Sequence, residues 1–394
     1  MAKKNLIRDP DQAVLLSELE DQPFLSLFER GTGIEDEEVG TDATITEPFD
    51  PTLIRVSAKT ITIDLLVARL RRNEINLAPD FQRKAGIWDN GAQSRLIESL
   101  LIRIPLPAFY MDASNDDNWI VVDGLQRLTT LKRFIVDKEF ELCDLEFLKP
   151  LSGKRYDALP RNFQRRIEET QVTLYLIEPG TPSQVKFNIF KRINTGGLPL
   201  SPQEIRHALN QGNATQLLKR LADSLEFKQA TAGSIRDERM ADREFVLRFL
   251  SFVMVPYTSY RSKDFDSFLN DRMAEINKMD EPELKRFERL FATTMINAYQ
   301  LFGSDAFRKR YNPNHARYPV NKALFESWSV ALSALSVTRR TELIARREIL
   351  KEKFMATLTE DRDFEGSIST GTGDIRKLRC RFETVERIVR ETLA

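Results

Sequence analysis

The stretch NWIVVDGLQRLTTLKRF, residues 118–134, constrains the fold of this chain more than any other. WIVVD, rich in β-branched and aromatic residues, passes straight into a helical pattern through Asp123–Gly124. A strand must therefore feed a helix across one tight turn, and the helix must pack back on a sheet. Asp123 followed by Gln126 reads as a helix cap with its capping box, which accounts for both without a functional role. Arg127 has no such account. A cation in a helix's first turn opposes the macrodipole at a cost of roughly 0.3–1 kcal/mol, and an anion bound at that terminus would offset it. Gly124 would let a phosphate approach the backbone closely.

Neighbouring patterns supply the rest of an α/β unit. LPAFYMD and NWIVVD, separated by the polar ASNDD, read as a strand pair, and QVTLYLIE at 171–178 as a third strand. ITIDLLVARLRRNEI reads as a helix capped by Thr60. Asn90 and Gln93 suggest a capping box for a helix whose apolar face is Leu96, Ile97, Leu100 and Leu101. After residue 180 the strand signals fade. SQVKFNIFKRIN reads as a helix ending at Thr195–Gly196–Gly197, and a new one starts with Ser201 as cap, Pro202 first and Glu204 closing a box. Helical patterns continue through REFVLRFLSFVM, ELKRFERLFATTMINAYQLF, NKALFESWSVALSAL and LRCRFETVERIVRETL. The expected architecture is α+β: a leader over 1–50, a small α/β domain over 51–215 and a mainly α-helical domain over 216–394.

The net charge of zero hides an asymmetry. Residues 1–50 carry 4 Lys/Arg and 13 Asp/Glu, a balance of −9, so the remainder holds +9. An acidic leader on a basic body suits self-shielding or competition with a polyanion such as DNA; a solvated tail is the plainer reading. Within the leader, AVLLSELEDQPFLSLFE suggests a short amphipathic helix and GTGIEDEEVGTDATITEPFDP a linker. No apolar run approaches the ~18 residues a membrane span needs. The N-terminus turns acidic too soon for a secretory signal, and Cys143 and Cys380 show no pairing pattern. A reducing cytoplasm is the expected location.

Two further segments carry candidate chemistry. In PDFQRKAGIW, 79–88, Gln82 and Arg83 fall on an irregular stretch between helices, where side chains can point into a cleft; Phe81 and Trp88 suit either core packing or base stacking. In FNIFKRINTGGLPLSPQEIRHAL, 187–209, Asn194, Glu204, Arg206 and His207 suit a polar site rim or simply a well-capped helix–turn–helix. Neither GxxxxGK[ST] nor GxGxxG is present, and His207 and His315 lack a second ligand at metal spacing, so an HNH-type or zinc nuclease is hard to build. FRKRYNPNHARY at 307–318 and RRTELIARREILKEK at 339–353 are basic stretches able to face a phosphate backbone.

Taken together, PxFQR…W, IPLP, VVDG-x-QR-LTTL and F-x-x-IN-x-GG, in that order over roughly residues 55–215, resemble the N-terminal domain of GmrSD-type modification-dependent restriction systems. That family has a ParB/sulfiredoxin-like fold and an Asp-Gly-Gln-Gln-Arg motif. The resemblance implies nucleotide binding and hydrolysis in bacterial defence against phage or foreign DNA. By position, the motif falls on Asp123, Gly124, Gln126 and Arg127, FQR on Phe81, Gln82 and Arg83, and the third motif's Asn on Asn194. Leu125 replaces the first Gln of the motif, which favours binding over hydrolysis. The HNH-bearing half of such systems has no counterpart here, so the resemblance implies a separate nuclease subunit or action without cleavage.

The resulting expectation is an NTP-binding and NTP-hydrolysing module. Arg83 and Arg127 would hold phosphates, Gly124 would admit them, Asp123 would orient a water or a Mg²⁺ shell, and Gln126 would position the attacking water. Gln82 and Asn194 would complete the nucleotide site. The alternative is a non-enzymatic DNA-binding or regulatory protein of ParB-like fold, with DNA met by the basic helices after residue 300. A nuclease with a non-HNH site ranks last.

Overall fold

The structure, a computed structural model, describes residues 33–35, 54–77, 88–193, 200–261, 264–314, 316–370 and 373–394. Alternation along the strands makes a sheet with two buried faces. In β3 (Phe109–Asp112), β4 (Trp119–Asp123) and β5 (Gln171–Ile177), Phe109, Met111, Trp119, Val121, Val172, Leu174 and Leu176 line one core. Tyr110, Ile120, Val122 and Ile177 line the other, where Tyr110 and Tyr175 stack at 4.9 Å. The strand order is β1-β5-β3-β4-β2, with β1 (Val56–Thr62) antiparallel to β5 and the two-residue β2 (Ile75–Asn76) parallel to β4. Strand β3 pairs antiparallel with β4 and parallel with β5.

Helices cover both faces. On the first face lie α1 (Ile63–Arg71), α2 (Asn90–Leu101), α3 (Leu125–Leu131, continued as a π-helical turn over Lys132–Val136) and α4 (Arg161–Glu169). On the second lie α5 (Ser183–Ile193) and α6 (Pro202–Leu209). The anticipated strand pair and third strand are present, as are the buried Leu96, Ile97, Leu100 and Leu101 of α2 and the Ser201–Glu204 capping box of α6. Two local readings change. Thr60 is not a cap but a mid-strand residue paired with Thr173, because KTIT forms an edge strand before α1, whose cap is Thr62 with its hydroxyl accepting from Leu65 N. The cap of α2 is Asp89, accepting from Ala92 N at 2.7 Å, while Gln93 bonds elsewhere.

The rest is helical: α7 (Asn213–Ala222), α8 (Leu225–Ala230), α9 (Ala241–Met254), α10 (Phe265–Ile276), α11 (Glu281–Phe302), α12 (Lys322–Ser333), α13 (Val337–Ala345), α14 (Arg347–Glu360), α15 (Arg362–Ser369) and α16 (Ile375–Leu393). Their shared core is rich in aromatic residues, including Phe245, Phe249, Phe291, Phe325 and Trp328. The chain is therefore α+β, a small mixed sheet followed by a mostly helical region. No helix among the described residues is long and apolar enough to cross a membrane.

A buried charge network ties the two parts together. Arg206 of α6 meets Asp266 of α10 at 2.7 Å and Glu244 of α9 at 3.8 Å. Arg248 bonds Glu244 and Glu326, and Arg381 of α16 bonds the other oxygen of Glu326 at 2.6 Å. Burial opposes the charge on Glu244, yet Arg248, Lys322 and Arg206 hold its carboxyl well below the usual carboxylate range. The helix anticipated within residues 13–29 lies outside the described residues. Of the anticipated linker, Gly33–Glu35 are described and are not free chain: Ile34 bridges Val320.

Candidate functional site

Strand β4 does not end regularly. Its register with β3 steps from Met111↔Val121 to Tyr110↔Asp123, leaving Val122 as an extra residue immediately before the turn. Such a bulge re-aims the side chain that follows it. Gly124 then takes φ +98°, and a Cβ there would lie 2.5 Å from the Phe109 ring. Glycine is thus required both by the left-handed backbone and by the packing of the turn against β3.

Asp123 and Gln126 do not form the anticipated capping box: the residue capping α3 is Gly124, without a side-chain cap. Asp123 instead pairs with Arg127, Oδ2 to Nη2 at 2.9 Å. The same guanidinium donates to the carbonyls of Pro107 and Ala108 and lies over the Phe109 ring at 4.5 Å. Burial pulls the Arg127 pKa down, and Asp123 works against that shift. The anion that offsets Arg127 in the first turn is therefore supplied from within, by Asp123. Asp123's side chain keeps 34 % exposure against 11 % for Arg127, so the carboxylate is the solvent-facing member of the pair.

Gln126 reaches across to another segment. Its Oε1 accepts from Trp88 N at 3.2 Å. Because a backbone N–H can only donate, the contact fixes the amide orientation and turns the Gln126 NH₂ away from Trp88. The carbonyl of Trp88 accepts from Gln93 Nε2, and Gln93 Oε1 in turn accepts from Arg133 at 2.9 Å. Trp88, the first described residue after the FQR stretch, is thereby clamped in front of α3. Its own side chain is exposed and not part of the core. Leu125 is half-buried against the core of the first face.

The structure brings together Asp123, Gly124, Gln126 and Arg127; Gln82, Arg83, Phe81, Asn194 and His315 lie outside the described residues. The residues read as a possible rim of the third segment are interior. Glu204 closes its capping box and pairs with Arg239 at 3.3 Å, Arg206 joins the buried network, and His207 is buried beside Arg243. The well-capped helix–turn–helix reading fits them. Sequence reasoning missed the partners of Arg127 and the clamp on Trp88. One signal was available: Pro105 and Pro107 have no N–H for a ladder, so the IPLPA turn leaves carbonyls that need a side-chain donor.

The first cations of the basic stretch 307–318 are turned inward. Arg308 is buried and donates to the carbonyls of Thr231 and Tyr318, Lys309 is buried against Glu35, and Arg310 pairs with Asp305. In 339–353, Arg346, Arg347, Lys351 and Lys353 each pair with a nearby glutamate. Four arginines of α16, Arg376, Arg379, Arg387 and Arg390, line one depression of about 640 Å³ together with Glu383, and Arg387 also pairs with Asp361 at 3.4 Å. Spacings of 3, 8 and 3 residues keep them on one helix face.

No curated protein and no solved structure matches the chain. Residues 66–210 match the family described as GmrSD restriction endonuclease, N-terminal domain, a span that contains the bulged strand, the Asp123–Arg127 pair and the Trp88 clamp. The match identifies the segment 66–210 as similar to the N-terminal domain of GmrSD-type restriction endonucleases.

Proposed function

We propose that this chain is the nucleotide-binding module of a restriction system directed at foreign or phage DNA, working with a separate nuclease. The nucleoside triphosphate would sit where β4 turns into α3. One observation carries the reading: at the bulged strand end, Arg127 fixes a solvent-facing Asp123 while Gln126 holds Trp88 and presents its NH₂. In this arrangement Arg127 is a positioning residue, its guanidinium already shared among Asp123 and two carbonyls. Arg83, five residues before Trp88 in the chain, is the cation assigned to the phosphates, and Gln82 and Asn194 are assigned to the nucleotide by their place in the motifs.

The NH₂ of Gln126 suits a phosphate oxygen better than it suits a water proton. Together with Leu125 in the motif, this supports binding ahead of hydrolysis. A Mg²⁺ ion brought with the triphosphate would need few protein ligands, and Asp123 is a carboxylate of the right type and exposure to join its shell. Such an ion would neutralise phosphate charge. Gly124 serves the turn by its missing Cβ, whose place the Phe109 ring crowds.

Binding of the four common labelled nucleotides to wild type, Gln126→Ala and Arg83→Ala tests the site. Loss of one charge-assisted hydrogen bond predicts about tenfold weaker binding in each variant. Equal affinity in all three proteins would sink the assignment. The DNA-binding alternative draws on the α16 arginine face. It predicts salt-dependent duplex binding whose salt slope falls by about one for each arginine removed, as in Arg379→Ala.

A further inference from the structure

Gly33–Glu35 is a short extended segment seated on the helical region, far along the chain from the residues it touches. Glu35 N donates to Val320 O at 2.9 Å, and Val320 N donates to Gly33 O at 3.0 Å. Val320 also bridges Arg308 in the antiparallel sense, so the leader adds an outer strand to a bridge already present. Ile34 packs against the aromatic helical core. The Glu35 carboxylate is divided between two donors, Oε1 taking Lys309 Nζ at 2.7 Å and Oε2 taking Asn321 Nδ2 at 3.0 Å.

Both donors are held in place by other duties. Lys309 is buried and also bonds Ser369 Oγ at 2.7 Å. Asn321 caps α12 by accepting from Leu324 N at 2.8 Å and donates to Ile368 O at 2.8 Å. The groove therefore offers a strand edge, an apolar wall, a cation and an amide donor in fixed order, complementary to a segment reading small–apolar–acidic. Gly33–Ile34–Glu35 has that order, and Asp36–Glu37–Glu38 follow it directly in the sequence.

We propose that this groove is a docking slot for the chain's own acidic leader, and that the seated leader lowers the affinity of the basic body for polyanions. The leader's −9 matches the body's +9, and anchoring at Glu35 keeps the leader's carboxylates tethered to that body. Contact through only three residues and one ion pair with Lys309 makes the latch releasable by local opening. The shielding half rests on the DNA-binding reading given above; the docking half does not.

The test uses the full chain and Ile34→Asp. This substitution removes the apolar anchor and makes the leader more acidic, so a gain in polyanion affinity cannot come from net charge. Amide exchange at Val320 is expected to be protected in wild type and to speed at least ~10-fold in the variant, an opening of that magnitude being within local-unfolding behaviour. Duplex DNA and heparin should bind the variant roughly 3–10-fold more tightly at low salt, the gap closing as salt rises. Unchanged Val320 exchange overturns the docking. A released Val320 with unchanged duplex and heparin affinity overturns the shielding. Absence of duplex and heparin binding in both proteins overturns the shielding together with the DNA reading, while Val320 exchange still decides the docking.

Discussion

Arg127 touches groups from three parts of the chain: Asp123 one helical turn away, the carbonyls of Pro107 and Ala108, and the Phe109 ring. Lysine cannot span these acceptors, since it lacks the planar fork. Arg127→Lys should therefore lose about 2–3 kcal/mol in chemical denaturation through unsatisfied buried carbonyls. Gly124→Ala should cost at least ~1–2 kcal/mol from the left-handed backbone alone, before any displacement of Phe109. The sequence flagged Arg127 correctly as a residue lacking a local account, and looked outward for its anion. The answer lay inward because the orphan carbonyls of IPLPA are some twenty residues away, a proximity no helical periodicity reports. Asp242 offers a second single-residue test. Burial, with Asp237 adding to it, pushes its carboxyl up to about 6, and the Arg243 backbone N–H pulls the other way. A raised pKa means the fold favours the protonated form: stability is full below about pH 4 and is lost as pH rises through about 6. Asp242→Asn keeps an acceptor for Arg243 N. It should raise stability at pH 7 by on the order of 1–3 kcal/mol, and thermal melts at pH 4 should show that gain gone.

Glu98 shows how one element organises its neighbours. It sits on the buried face of α2 and accepts from the backbone N–H groups of Glu146, Phe147 and Leu148 at 3.0, 2.8 and 2.7 Å. Burial works against its charge, but those three donors hold its carboxyl below the usual range. A depressed pKa contributes stability that is present above the unfolded value and fades as pH falls through the folded one. Glu98→Gln turns a donor toward donors, so it should cost about 1–3 kcal/mol at pH 7, with the difference shrinking below about pH 4 in pH-resolved melts. Element by element, what the sequence disclosed followed the strength of its periodicity. Strands β3, β4 and β5 were legible because each alternates or runs apolar between turn residues. Strand β1 was not, because ITIDLL fits helix and strand equally and only pairing with β5 decides where one gives way to the other. The two residues of β2 are too few for any pattern. At the site, the turn and the helix start were legible; the Val122 bulge and the Gln126–Trp88 contact depend on the sheet register and on a loop, which sequence spacing does not encode.

Across the molecule, Glu326 is the hinge of the charge network. It is fully buried and shared by Arg248 and Arg381, drawn from α9 and α16. Removing one partner of such a group leaves the others uncompensated, at roughly 3–5 kcal/mol. Glu326→Gln should therefore lower stability by an amount near that range. Because Arg206 links the same network to the sheet domain, loss should appear in probes of both parts at once. Separate transitions for a tryptophan signal from Trp119 and one from Trp328 would contradict this coupling.

The family match ends at residue 210, inside structure the helical region completes. Ile205 and Ala208 of α6 share their small core with Met240, and Arg206 takes its acids from Asp266 and Glu244. A segment that travels between genes by recombination would be expected to carry its whole interior with it; this one leaves part of its interior to whatever follows. Relatives that join it to a different C-terminal partner should therefore show compensating changes, with the residue at the position of Arg206 varying together with its acids rather than with the Asp123–Arg127 segment.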